Sequence, residues 1–261
     1  MLLLLKLFLV PGLVGVVTLA VRRWGPAVGG WLAGLPLVAG PVLVFYALEQ
    51  GNAFAARAAQ STLIGLLATT GFVVVYARAS ARLPWYGCVV VGWTAFAVVI
   101  RALYALTFGL GLGLGLVAVV AATVMGRRAL PRLAPLSMYV PGPVRGDLPI
   151  RLVATATLVL VLTGLAGQLG STLSGLLNAF PVLTTIIAAF THAQRGRQAM
   201  VAFLNGYLQA VVGFAVFCVA MAAALPPLGL AGALLAALTA QFVSHAFLLW
   251  RGSAFRRVVA R

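Results

Sequence analysis

The stretch GLLNAFPVLTTIIAAFTHAQRG, residues 175–196, aligns without a gap with GWLAGLPLVAGPVLVFYALEQG, residues 30–51, when the chain is slid along itself by 145 positions. Both are apolar, both carry a proline six residues after the first glycine (Pro36 and Pro181), and both end in glycine (Gly51 and Gly196). Working outward at the same offset, Lys6 meets Arg151, Thr18 meets Thr163 and Gly25 meets Gly170. On the other side Leu63 meets Leu208, Phe72 meets Phe217, Gly87 meets Gly232 and Thr94 meets Thr239. Coincidence of Leu, Ala and Val is cheap in so apolar a chain, whereas repeated matching of Gly, Pro, Thr and a lone basic residue is not. The pattern predicts an internal duplication.

Of the 261 residues, 63% are hydrophobic and only 8% are charged. A soluble domain carries about 25% charged residues, so this composition cannot clothe a water-facing surface. The mean hydropathy of +1.13 agrees. Strands alternating apolar and polar residues, the mark of a membrane barrel, are absent from the pattern. At about 20 apolar residues per crossing plus turns, the length predicts about nine helices. They fall at 2–21, 25–48, 53–77, 84–106, 107–125, 148–166, 170–192, 198–225 and 227–250. The apolar start reads as a retained first helix. Cys88 and Cys218 both fall inside spans, so neither a disulfide nor a zinc site is expected.

A net charge of +16 in a soluble protein would point to nucleic acid. Here the basic residues stand singly or in pairs between apolar runs, the way membrane orientation is written. Nine spans leave Lys6, Arg57 and Arg101 on one side and the other fifteen of the 18 basic residues opposite. The N-terminus is therefore expected outside and the C-terminus in the cytoplasm. Each repeat holds four spans, and a fifth span between them turns the second copy upside down. The expected fold is an all-α polytopic membrane protein. Its parts are repeat 1 (1–106), a linking helix and cytoplasmic loop (107–146), inverted repeat 2 (147–251) and a basic tail (252–261). The linking helix carries Gly109, Gly111, Gly113 and Gly115, spacing that suits close helix packing.

The order Gly-Leu, then Phe180-Pro181, a short apolar run and Arg195-Gly196 resembles the GlpM-like family of small bacterial inner-membrane proteins. Those proteins look like one four-helix unit. The first half keeps Ala33-Gly34-Leu35-Pro36 and Gln50-Gly51 but lacks the Phe-Pro pair. The resemblance implies a duplicated and fused version over about four fifths of the chain, in a bacterial inner membrane. It transfers no catalytic or binding residue.

No ATP-binding, metal-binding or nucleophilic motif is present, so neither a cofactor nor an enzyme is expected. Inverted repeats place a site near the midplane between the halves. Pro36 and Pro181 interrupt the second and seventh spans at matching positions, the latter beside Asn178, Thr184 and Thr185. Such breaks mark a binding region or, in the plainer reading, packing kinks. Gln60 and Asn205 also match across the repeats, with Gln209 one turn beyond. They are expected to line a shared polar cavity or to bond neighbouring helices. Coupling or gating falls to Glu49, Arg57, His192 and His245. Their plainer roles are a local Glu49–Arg57 pair and interfacial histidines. The expected function is a secondary transporter or flippase for a small, anionic or amphipathic solute. The alternatives are a non-transporting membrane partner in envelope or lipid-polymer synthesis, and a narrow ion channel. The expected partners are the bilayer, a small-molecule solute, and a second copy or another membrane protein.

Overall fold

The computed structural model describes residues 2–104, 111–132, 147–166 and 171–259. The start of the linking span, most of the Arg/Pro linker and Gly170 lie outside the described residues, as do the side chains of Lys6 and of the basic tail. Among the described residues, nine helical elements follow one another: α1 (Leu2–Trp24), α2 (Pro26–Ala33), α3 (Ala39–Gln50), α4 (Asn52–Ala79), α5 (Trp85–Tyr104), α6 (Leu112–Ala129), α7 (Asp147–Ala166), α8 (Ser171–Asn178) and α9 (Val182–Val259). No strand occurs among the described residues.

Among the described residues, four stretches are long and apolar enough to cross a bilayer: Asn52–Ala79, Trp85–Tyr104, Leu112–Ala129 and Thr172–Leu248. The chain is a helical membrane protein. The last stretch has 77 residues, about 115 Å if straight at about 1.5 Å per residue, against a hydrocarbon layer of about 30 Å. It is not straight. Its helix is interrupted at Gly196 (φ 79°, ψ 179°) and Gly229 (φ 66°, ψ −176°). Gly25 (φ 90°, ψ 167°) and Gly51 (φ 86°, ψ 165°) divide the first half in the same conformation. This region of backbone space is open essentially to glycine alone, which is why these turns fall where they do.

The span expected at 25–48 is two half-helices, α2 and α3, and that expected at 170–192 is likewise divided between α8 and the first part of α9. Proline is the cause. Lacking an N–H and clashing with the preceding turn, it breaks the ladder. At the first break the Leu35 N–H donates to Leu32 O (3.1 Å), the Leu37 N–H to Leu35 O (2.7 Å) and the Gly40 N–H to Pro36 O (2.8 Å). At the second, Phe180 N–H donates to Leu177 O (2.9 Å), Val182 N–H to Phe180 O (2.8 Å) and Thr185 N–H to Pro181 O (2.8 Å). Each bond of one set lies 145 residues from its counterpart.

The half-helices pack crosswise. α2 lies on the 197–228 part of α9, where a Cβ at Gly30 would overlap the Phe203 carbonyl and one at Gly206 the Ala27 carbonyl. α8 lies on α4, where a Cβ at Gly175 would overlap the Ala58 carbonyl. Around this centre, α5 and α6 pack on α4. Gly126 lets α6 approach Thr70, and Gly115 lets it approach Leu63, whereas Gly111 and Gly113 face open space. Of the glycine run, only Gly115 serves close packing among the described residues. Outward-facing Val98, Val117, Leu235 and Phe242 form part of the apolar belt.

Basic side chains gather at one end of the bundle. Arg78 Nε donates to Ala129 O (3.1 Å), Arg195 Nη1 to Val21 O (3.2 Å) and Arg197 Nε to Ser80 Oγ (3.2 Å). The turn at Gly229 approaches Asn52, which follows Gly51, at a different place on the bundle.

Candidate functional site

The two proline breaks meet. A cavity of about 40 Å³ lies between them, lined by Leu35, Leu37 and Ala39 from the first break and by Asn178, Pro181 and Thr184 from the second, with Tyr207 and Phe214 closing it. That is room for a few waters, since one water needs about 10–15 Å³ on the same measure. The geometry explains the polar groups. A helix end leaves carbonyls without partners, and in lipid those partners must come from the protein or from enclosed water. The Thr62 hydroxyl, on α4, reaches Gly175 O (3.0 Å) as well as Ala58 O (2.8 Å). The Thr69 hydroxyl, two turns further along α4, reaches Ala179 O (2.6 Å). Asn178 Nδ2 then donates to Ala39 O (3.3 Å) and Thr62 Oγ1 (3.3 Å), tying the second break to the first and to α4. Tyr207 shares a hydrogen bond with Thr184.

The structure brings together Asn178, Pro181 and Thr184 of the expected site residues. Thr185 faces the other way and accepts a hydrogen bond from Trp93 Nε1 (3.2 Å). Pro36 is buried and borders a second, apolar groove of about 390 Å³ rather than the cavity. Gln60, Asn205 and Gln209, expected to line a shared cavity, are not among the residues lining this one. Asn205 instead accepts from Arg127 Nε (3.3 Å), and Gln209 is exposed. The reason is helical phase. Thr62 and Tyr207 are the residues that face the breaks, and Gln60, Asn205 and Gln209 stand two positions away from them, about 200° around the helix.

Of the expected gating residues, Glu49 and Arg57 are exposed on either side of the Gly51 turn. The His192 ring packs edge-on against Tyr76 at 6.0 Å, and its Nδ1 is buried without a hydrogen-bond partner. The His245 ring packs edge-on against Trp31 at 5.1 Å, with Nδ1 3.0 Å from Gln241 O and Nε2 without a partner. Neither histidine reaches the cavity. The site holds no ionisable acid or base beyond Tyr207, so it acts through dipoles and hydrogen bonds. Among the described residues no group of His, Cys, Asp and Glu is placed to hold a metal, and Cys88 and Cys218 are buried free thiols.

Sequence reasoning missed Ala39, Thr62, Thr69, Tyr207 and Phe214. Thr62 and Thr69 had a signal, seven residues apart on one helix face. Ala39 had none, since it contributes only a backbone carbonyl. No protein-family model, curated protein or solved structure matches this chain.

Proposed function

We propose that the protein is a membrane carrier of two inverted, pseudo-two-fold halves that moves a small solute past the crossed proline breaks. The reading makes it a duplicated relative of GlpM-like proteins, with nine crossings and its arginine-rich end in the cytoplasm. One observation carries it: equivalent contacts are exchanged between the halves. The α2 contact of Gly30 with the Phe203 carbonyl and the α8 contact of Gly175 with the Ala58 carbonyl involve residues 145 apart in both partners. An exchange in which residue i meets j and the counterpart of j meets the counterpart of i is what a two-fold axis produces. An axis in the membrane plane makes each half the mirror in orientation of the other, so rocking about it opens the site to either side in turn.

The small volume of the cavity favours a second reading, a narrow ion channel, because about 40 Å³ admits water or a bare ion more readily than an organic solute. Purified protein in liposomes separates the two. A carrier gives saturable, slow uptake of an organic anion, amine or lipid-linked sugar and no steady current at fixed voltage. Steady current that scales with voltage, without saturable uptake, would replace the carrier with the channel. Asn178→Leu, which unties the breaks, is expected to alter the carrier's rate more than its amount in the membrane.

A further inference from the structure

The apolar groove beside Pro36 is where the two halves differ. Superimposing residue numbers by 145, the equivalent place beside Pro181 is filled with an aromatic cluster drawn from both halves. The Phe180 ring packs against Trp93 at 5.6 Å and against Phe96 at 5.1 Å, and Trp93 bonds Thr185. At the groove the 145-residue counterparts of Phe180, Trp93 and Phe96 are Leu35, Leu238 and Gln241, and Gly40 stands for Thr185. Smaller side chains leave about 390 Å³ open between α3 and the later parts of α9. The volume falls within the range of small-molecule sites, about 300–1,000 Å³.

Gln241 is the one polar side chain on that wall. It is 2% exposed, and its Oε1 has no hydrogen-bond partner. A buried carbonyl oxygen left unpaired in an apolar setting costs free energy that a ligand with a donor recovers. Its depth limits the ligand. Gln241 stands ten residues before Arg251, about 15 Å along the helix, half of a hydrocarbon layer of about 30 Å. A phospholipid headgroup does not reach that level. Phe242 and Leu238 on the groove's rim are exposed to the surrounding bilayer, and Leu35 and Leu37 line both groove and cavity.

We infer that this groove binds an uncharged, largely hydrocarbon molecule bearing one hydroxyl or amide N–H donor, which enters sideways from the bilayer and anchors on Gln241. The inference rests on the two-fold correspondence proposed above and names the substrate class of that carrier. The test is photolabelling of the whole protein in lipid nanodiscs with a diazirine-bearing long-chain alcohol and with its methyl ether. The alcohol should label peptides containing Leu234–Phe242 or Gly40–Phe45 about tenfold more than the ether, because the ether leaves Oε1 unpaired. Gln241→Leu should erase that preference. The variant L35F/L238W/Q241F, which gives the groove the aromatic residues of the equivalent place beside Pro181, should abolish labelling by both probes. Should that variant not fold, as judged by circular dichroism and gel filtration, Q241L alone decides. Equal labelling of the parent by alcohol and ether, or undiminished labelling of the folded filled variant, overturns the inference. Labelling at equilibrium needs no transport, so absence of liposome uptake with selective labelling intact would refute the carrier and leave the site standing.

Discussion

At Gly30 and Gly175 an added methyl group has nowhere to go, because the nearest atoms are backbone carbonyls of Phe203 and Ala58. Backbone cannot swing aside as a side chain does, so Gly30→Ala and Gly175→Ala should each destabilise the protein by about 1–3 kcal/mol. Gly113→Ala, with nothing within 4 Å, is expected to leave thermal unfolding in detergent unchanged. Equal losses at all three positions would show that close approach does not govern the response, and helix propensity would not explain them either, because it favours alanine over glycine. The site residues divide by the same logic of what a side chain announces. Asn178, Pro181 and Thr184 stand out in an apolar helix, and each lines the cavity. Gln60 and Asn205 are just as conspicuous but sit on the far face of their helices, and phase is invisible until the neighbours are known. Ala39 does its part through a carbonyl that any residue possesses.

At the scale of the element, the turns and breaks were more legible than the crossings. Proline inside an apolar run signals a broken ladder, and both Pro36 and Pro181 sit in one. What the pattern could not convey is that each break separates two half-helices instead of bending one. At the second break Thr62 and Thr69 of α4 bond carbonyls at the end of α8. The glycine turns are a stronger determinant still. Gly51 and Gly196 occupy positive φ with extended ψ, where a Cβ costs about 1–3 kcal/mol. Gly51→Ala and Gly196→Ala are therefore expected to lower stability by that amount, although neither Cβ would touch another atom. Unfolding midpoints that stay at the parental value would mean that both turns relax into ordinary helix. Were that so, the 78 residues of α9 would have to find another place to fold back.

For the molecule as a whole, the proposed orientation in the bilayer rests on where its arginines meet. Arg78, Arg195 and Arg197 bond groups at the ends of α6, α1 and α4, so residues far apart in sequence share one end of the bundle. Positive residues are retained in the cytoplasm during insertion. The proposed assignment would put Gly196, beside Arg195 and Arg197, inside, and its counterpart Gly51, beside Asn52, outside. Equivalent turns on opposite faces are the signature of inversion, and a parallel duplication would set both on one face. A topology reporter inserted beside Asn52 should therefore read as external, while reporters inserted beside Gly196 and fused after Arg261 read as cytoplasmic. Cytoplasmic signals at both Asn52 and Gly196 would convert the axis from one in the membrane plane to one along its normal. The inverted form of the carrier mechanism would fall with the inversion, since halves related along the normal alternate access by rocking against each other instead. The groove beside Pro36 would survive, because its shape depends on Leu35, Leu238 and Gln241 and not on which way up they lie.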